Sequence, residues 1–311
     1  MLHRRWLVSL AVFASLAVNA QTPPKRFAQP TTIRELIAAS KPEDWRLLDP
    51  AHTLYLELAT GRVVIELAPA FAPRHVANIE KLAHAHWYDG LAITRLQDNF
   101  VAQWGDPLNS KPEIGEKHLP AEFVRSAAGL PFTRLKDVDT YAPQVGFAGG
   151  LPAARNSADG EAWPVHCYGT LGVGRDNDPA TAIGTELYVV IGHSPRQLDR
   201  NIAVVGRVVM GMEHLSSLPR GTGELGFYEQ PEQREPIQAI RLASDVPLAE
   251  RKNYDVMRTD TATFEQLIEL RRNRKDEWYK TSVGRIDVCN VPLPIREHVE
   301  HGEKAVSRLP R

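Results

Sequence analysis

The chain predicts a mainly β protein: a closed all-β barrel whose region holds two helices, with helical or irregular extensions at both ends. Three observations predict it. Apolar residues alternate along residues 54–58 and 63–67; short apolar runs recur at 169–174, 187–191 and 202–209; and only two segments of that region carry helical spacing. A doubly wound sheet needs a crossover helix between parallel strands, and the spacing supplies too few.

With 311 residues, 43% hydrophobic and 24% charged, 23 prolines and 21 glycines, the chain fits one or two globular domains rather than a disordered or fibrous protein. Its start departs from that pattern. Arg4 and Arg5 precede an apolar run at residues 7–18, and Val18-Asn19-Ala20 offers small residues before Gln21. Such a run is too short to span a bilayer, so residues 1–20 are expected to be a removable secretory signal, an uncleaved anchor being the alternative. The expected destination is the periplasm or the medium, with no integral membrane span once the signal is removed. Loss of Arg4 and Arg5 leaves 35 basic residues against 38 acidic ones, a net charge of −3, which is no electrostatic footprint for nucleic acid. Cys167 and Cys289 are the only thiols. In an oxidising compartment a disulfide between them would persist and stabilise by about 4 to 5 kcal/mol in the chain-entropy model. Two separate buried thiols are the other reading, and two cysteines alone do not decide between them.

Residues 21–50 form an N-terminal extension. It opens with Pro23, Pro24 and Pro30, and Ile33, Leu36 and Ile37 then share one helical face behind a Thr32 cap with Glu35 three residues on, which predicts a short docking helix. Residues 54–58 and 63–67, joined through Ala59-Thr60-Gly61, predict a hairpin. Pro73 suits the first turn of the next helix, whose apolar stripe is Val76, Ile79, Leu82 and Ala83. His84 and His86 close it on different faces, which favours solvated or packing histidines over a metal site. Residues 210–215 predict the second helix. The main domain is expected at residues 51–245, with an insertion at about 107–168 whose turn formers at 146–152 and 154–160 predict a long loop flanking the groove. Residues 246–311 form a C-terminal extension. Phe264, Leu267, Ile268 and Leu270 predict a helix, the basic run 271–275 its solvated face or a contact for an anionic partner, and residues 284–291 a strand. The two outer helices are expected to pack on the barrel as an appendage.

Residues 70–106 hold the most specific pattern. Ala70-Phe71-Ala72-Pro73-Arg74-His75-Val76-Ala77-Asn78-Ile79 is followed by Trp87-Tyr88-Asp89-Gly90, by Ile93-Thr94-Arg95-Leu96, and by Phe100-Val101-Ala102-Gln103-Trp104-Gly105-Asp106. An arginine inside an apolar ladder must point to solvent or emerge on the side that also carries the aromatic and the amide. At these spacings the chain resembles the cyclophilin-type peptidyl-prolyl isomerases, whose pattern runs A-P-x-T-V-x-N-F, Y-D-G-x-x-F-H-R-x-I and F-M-x-Q-G-G-D. The resemblance runs from about residue 54 to about residue 244 and implies a closed eight-stranded antiparallel cyclophilin-like barrel capped by two helices. It implies a catalytic role for Arg95, a proline-pocket role for Phe100 and Val101, and a pocket glutamine at Gln103. Residues 185–189 resemble the family's S-Q-F-F-I strand, so Glu186 replaces a glutamine and Tyr188 a phenylalanine. Residues 204–208 resemble V-F-G-x-V, which sets Gln197 where many members have tryptophan and Ile202 where many have histidine. Trp104 replaces the first glycine of Q-G-G-D and is expected to reshape the groove wall. Asn78 resembles the family's structural helix asparagine, and residues 119–123 are the best local match inside the insertion.

The implied activity is prolyl isomerisation, without a cofactor, on proline-containing polypeptides, here exported ones. Rotation about a peptide C–N bond faces roughly 18 to 20 kcal/mol. A guanidinium that donates to the prolyl nitrogen as it pyramidalises favours the twisted state alone, which is what accelerates rotation, and arginine stays charged and presents a rigid fork of donors. Phe100, Val101 and Tyr188 would enclose the ring, with Gln103 holding Arg95 or the adjoining carbonyl. Glu186 would orient the guanidinium or tie it down. Glu186, Gln197 and Ile202 also motivate an alternative, a weak or inactive proline-peptide binding module or chaperone; a scaffold whose extensions bind a partner is a third reading.

Other constellations point to no further chemistry. Ser157, Asp159 and His166 lack the Gly-x-Ser-x-Gly setting of a nucleophile elbow. Gly172-Val173-Gly174 lacks the third glycine of a dinucleotide fingerprint. His298 and His301 lack a third ligand and read as a solvated tail.

Overall fold

The computed structural model describes residues 31–108, 110–298 and 307–308. The expected signal segment at 1–20, the prolines up to Pro30, and His301 lie outside the described residues. Among the described residues no helix is long and apolar enough to cross a membrane.

A curled antiparallel sheet dominates the fold. Its hydrogen-bonded order is Glu235–Pro236, Ala92–Leu96, Val101–Gly105, Glu186–Val190, Thr170–Val173, Val204–Met210, Gly61–Leu67, Thr53–Leu58 and Ala239–Leu242. The count is nine, against the eight that the family resemblance implies, because the closing run 235–242 is broken in two. Its first piece pairs Glu235 with Ile93, its second pairs Ala239 with Glu57, and between them Ile237 N donates to Leu91 O and Gln238 N to Glu57 O. One run of chain thus meets both edges of the sheet, which leaves few unpaired edge groups. Inward side chains alternate as strand geometry requires: Leu54, Leu56, Ile65, Ala102, Trp104, Leu187 and Val189 form one core with Val76, Ile79, Leu82 and Leu215 from the helices Pro73–His84 and Met212–Ser216. The first of these helices has Ala72 at its N-cap, which has no side-chain acceptor. Glu122 of the insertion serves instead, accepting from the backbone N–H of Arg74 and His75 and lying 2.6 Å from His75 Nδ1.

The insertion is not a loop. It folds into a five-stranded sheet ordered Arg125–Ser126, Glu161–Pro164, Leu151–Asn156, Gln144–Ala148 and Thr133–Arg134. The turn formers that suggested a loop make its hairpins: Gly149 and Gly150 both have positive φ, 59° and 88°, between the paired Ala148 and Leu151, as a tight two-residue turn demands. The outer helices do not pack on the barrel either. Ile33–Ala39, closed by the expected Thr32–Glu35 capping box, contacts Ala262–Arg272, and both bury their apolar faces with Trp45, Phe147, Trp163 and Val288 in a second core. Extensions and insertion therefore build one further unit, which also includes a four-stranded sheet ordered Trp45–Leu47, Tyr254–Met257, Ile295–Glu297 and Ser307–Arg308. The strand expected at 284–291 is absent. Ile286 and Val288 do alternate into the core, but Ile286 N donates to Asp137 Oδ1, Asp287 caps a 3-10 turn at Val288–Asn290, and no strand lies alongside.

Several ties join this unit to the barrel: Tyr254, Val256 and Ile295 share a buried cluster with Tyr55 and Val64 of the barrel, and Ala148, Leu151 and Ala153 share another with Phe71 and Val204. Cys167, just before the barrel strand Thr170–Val173, is disulfide-bonded to Cys289 across a sequence separation of 122. Glu66 on the barrel pairs with Arg46 of the N-terminal extension and with the half-buried Arg207, and Arg46 also donates to Gly149 O at 2.9 Å.

Candidate functional site

Strand register assembles the site. Arg95 lies opposite Gln103, Gln103 opposite Tyr188, and Tyr188 opposite Gly172, so four adjacent strands contribute one row of neighbours. Because alternate residues share a face, Val101 and Gln103, with Glu186, Tyr188 and Val190, all stand outside the barrel. Val101, Tyr188 and Val190 form a separate buried cluster there, with Phe100 and Ile202 packed against it. Phe100 is aimed by a turn whose Asn99 takes positive φ, 50°, and whose Asn99 Oδ1 accepts His193 N at 2.7 Å. Phe100, Val101 and Tyr188, expected to enclose the prolyl ring, are therefore brought together with Ile202 beside Arg95 and Gln103.

The guanidinium is held on three sides. Arg95 Nε donates to Leu225 O at 2.7 Å, NH1 to Gln103 Oε1 at 3.1 Å, and NH2 to Gln97 Oε1. The rings of Phe100 and Phe227 lie 5.5 and 5.3 Å from its central carbon, within reach of a cation–π attraction. Half-burial pulls the Arg95 pKa down, and the nearby Glu186 charge opposes this; an arginine so perturbed stays charged.

Glu186 neither pairs directly with Arg95 nor ties it down. Its Oε2 accepts from Gln103 Nε2 at 2.8 Å. A carboxylate only accepts, so it holds the amide nitrogen toward itself and leaves the amide oxygen facing Arg95. Burial pushes the Glu186 pKa up, and the Gln103 hydrogen bond partly offsets this. Trp104 is fully buried in the barrel core, so it is no groove wall: it alternates with Gln103 and must point inward. Gln197 is exposed on the 3-10 turn Arg196–Leu198, where its backbone carbonyl accepts from Asn201 Nδ2 at 3.2 Å; it joins none of these contacts. Cys167 lies in the second core with Cys289 packed against it, and neither joins these contacts.

Three features escaped the sequence reading. The segment 221–228 runs beside Arg95, with Gly221 N donating to Leu96 O and Tyr228 N to Thr94 O, and supplies the Leu225 carbonyl; its glycines at 221, 223 and 226 were the signal. Gly172 and Gly174 clear space on the outer face: a Cβ on Gly172 would sit 2.2 Å from Tyr188 Oη, and one on Gly174 2.9 Å from Glu186 Cβ. The third is a buried polar chain behind Tyr188. Its hydroxyl lies 3.0 Å from His166 Nε2, His166 Nδ1 lies 2.9 Å from Asp199, and Asp199 accepts Arg196 Nε at 2.6 Å. Burial pushes the Tyr188 hydroxyl pKa well above its usual range. Ser157 and Asp159 take no part in that chain; Asp159 accepts instead from Asn156 Nδ2. His84 and His86 face Asp245 and Asp89, and no cluster of metal-ligating side chains exists among the described residues.

Comparison with known proteins agrees with this geometry. Residues 53–243 match the family model for the cyclophilin type peptidyl-prolyl cis-trans isomerase/CLD. A probable peptidyl-prolyl cis-trans isomerase from Brucella suis is 29% identical over 185 residues, covering 59% of this chain and 80% of that protein. The peptidyl-prolyl cis-trans isomerase CYP23 of Arabidopsis thaliana is 27% identical over 188 residues, 57% of this chain and 69% of its own. The crystal structure of the cyclophilin AquaCyp293 from Hirschia baltica aligns with a TM-score of 0.65 at 30% identity, covering 78% of this chain and 92% of that one. That coverage exceeds the family match, so the likeness reaches into the second unit. The curled sheet, the shared outer row and these matches together place the chain in the family of cyclophilin-type peptidyl-prolyl cis-trans isomerases.

Proposed function

We propose that the protein isomerises X-Pro bonds of exported polypeptides by a non-covalent route in which Arg95 favours the twisted imide. The observation that carries this is the placement of a triply anchored guanidinium beside an apolar cluster on one face of the sheet. Three of the five guanidinium N–H donors are engaged, which leaves two for substrate. As the C–N bond twists, its nitrogen lone pair is released from resonance and becomes an acceptor. A donor fixed in advance stabilises that state without reorganising. Phe100, Val101, Tyr188 and Ile202 hold the prolyl ring, and Gln103 keeps the guanidinium in plane with the groove. Export is supported by the basic-then-apolar pattern of residues 1–20 and by the Cys167–Cys289 disulfide, a bond that persists in oxidising compartments.

The test is a protease-free cis/trans assay on short X-Pro peptides. Arg95→Ala is expected to lower kcat/KM by about two to three powers of ten, the usual effect of removing one transition-state donor, with an unchanged circular dichroism spectrum. Undiminished rates in that variant would sink the mechanism. Cell fractionation tests export, and a purely cytosolic protein would overturn it.

A further inference from the structure

We propose that His166 is a positioning residue for the prolyl pocket, and that it transmits to Tyr188 the constraint of an ion-pair chain rooted in the inserted unit. This rests on the isomerase reading above and deepens it. Tyr188 stands in the pocket row, yet its hydroxyl points away from the apolar cluster, across Gly172, to His166 Nε2 at 3.0 Å. The two rings lie nearly parallel, 6° apart, with centroids separated by 6.4 Å.

His166 is itself fixed twice by one carboxylate: its backbone N donates to Asp199 Oδ1 at 3.0 Å and its Nδ1 lies 2.9 Å from the same atom. Asp199 Oδ1 accepts from Nδ1–H, which leaves Nε2 as the acceptor to which the Tyr188 hydroxyl donates. The other Asp199 oxygen accepts Arg196 Nε at 2.6 Å, and the Arg196 fork spans both oxygens of Asp139, at 2.8 and 3.0 Å. Asp139 also accepts the backbone N–H of Tyr141 and Ala142, and the Tyr141 ring covers the guanidinium at 4.9 Å. His166, Arg196, Asp139 and Asp199 are all nearly devoid of side-chain exposure.

A buried chain of charge-assisted hydrogen bonds with every link engaged has few alternative geometries. Its far end, Asp139, belongs to the insertion, and its near end sets the ring that floors the pocket. Two consequences follow. The pocket surface stays apolar, since the phenol's polar end is drawn down out of it. The fit of the prolyl ring also depends on a unit outside the barrel.

The experiment combines kinetics with ring dynamics. His166→Leu is expected to raise KM for an Ala-Ala-Pro-Phe peptide about tenfold while kcat changes less than about threefold, because Arg95 is untouched. Adding Tyr188→Phe, which removes the hydroxyl that needs a partner, is expected to restore most of that loss. Asp139→Asn, remote from the groove, is expected to shift KM in the same direction by a smaller factor. Ring-labelled tyrosine NMR on the variants that keep Tyr188 reads it directly, and His166→Leu is expected to speed its ring flips whether or not the protein turns over substrate. Unchanged KM together with unchanged ring flips overturns the proposal, as does strict additivity of the His166 and Tyr188 substitutions. If His166→Leu does not fold, His166→Gln and Asp139→Asn carry the same two readouts. Absence of isomerisation in the unmodified protein counts against the isomerase reading alone, because the ring-flip result decides the positioning role without it.

Discussion

Replacing Glu186 by glutamine isolates the least usual element of the groove. In the unmodified protein one orientation of the Gln103 amide satisfies both neighbours, Nε2 toward Glu186 at 2.8 Å and Oε1 toward Arg95 at 3.1 Å. The flipped amide would set oxygen against carboxylate and N–H against guanidinium. A hydrogen bond to a charged group contributes about 1.5 to 3 kcal/mol. With about 2 kcal/mol for this half-buried pair, roughly one molecule in thirty holds the wrong orientation at RT of about 0.6 kcal/mol. A glutamine side chain in place of the carboxylate could donate or accept, so both orientations become comparable and about half the molecules lose the Gln103 anchor. Gln97 and the Leu225 carbonyl still hold Arg95. The expected fall in kcat/KM is therefore about two- to fivefold, far short of the Arg95→Ala effect. Acid should act as the mutation does, because a protonated Glu186 becomes a donor. Burial raises its pKa above the ordinary 4.5, so the unmodified enzyme should lose activity as pH falls through that raised value. The Glu186→Gln variant should lack this acid limb. Stability has the opposite sign: the folded state binds the proton more tightly than the unfolded chain, so this group's stabilisation is full below about 4.5 and is lost as pH rises through the folded value. The variant, carrying no charge to desolvate, should thus gain on the unmodified protein as pH rises. Protease-free isomerisation rates and thermal melts across that range check both. Identical pH–rate profiles for the two proteins would refute the reasoning.

Three further predictions concern the frame around the site. Breaking the Cys167–Cys289 bond, which closes a loop of separation 122, should cost up to about 5 kcal/mol in the chain-entropy model. The Cys167→Ser/Cys289→Ser protein should melt several degrees lower, reductant should shift the unmodified protein equally, and coincident melts would refute the tie. Gly172→Ala puts a methyl 2.2 Å from Tyr188 Oη and 2.3 Å from Cζ; with the ring displaced, kcat/KM should drop about tenfold, overpacking of this kind costing about 1 to 3 kcal/mol. Normal kinetics in that variant would show that the ring does not lie across Gly172. Trp104→Ala should destabilise by about 3 to 5 kcal/mol, as loss of a large buried aromatic does, while leaving kcat/KM of the folded fraction intact; a substrate-dependent kinetic change would return Trp104 to the groove.

Much of the site was legible because strand alternation is a local rule. Arg95, Phe100, Val101 and Gln103 lie within one hairpin, where alternation left Arg95 two choices, solvent or the side that carries the aromatic and the amide, and the family resemblance selected the second. Glu186, Tyr188 and Ile202 joined them only through the resemblance, since pairing across strands distant in sequence leaves no periodic trace. The insertion was misjudged for a related reason. Gly149-Gly150 and Asp159-Gly160 signal turns, but whether turns belong to a loop or to hairpins depends on the strands between them finding partners in the insertion and on their apolar faces finding cover from both ends of the chain. The alternation of Ile286 and Val288 was real, yet alternation without a neighbouring strand does not make a strand.

Local patterning by itself determined the Thr32-capped helix, the first hairpin and the helix after Pro73, because each depends on residues a few positions apart. Tertiary structure alone decided that 33–45, 124–167 and 257–293 share a core. It also decided that Glu186 reaches Arg95 only through Gln103, and that Asp139 is chained to Tyr188 through Arg196, Asp199 and His166. Those outcomes rest on contacts between segments far apart in sequence, where desolvation and distance in space, not spacing along the chain, select the partner.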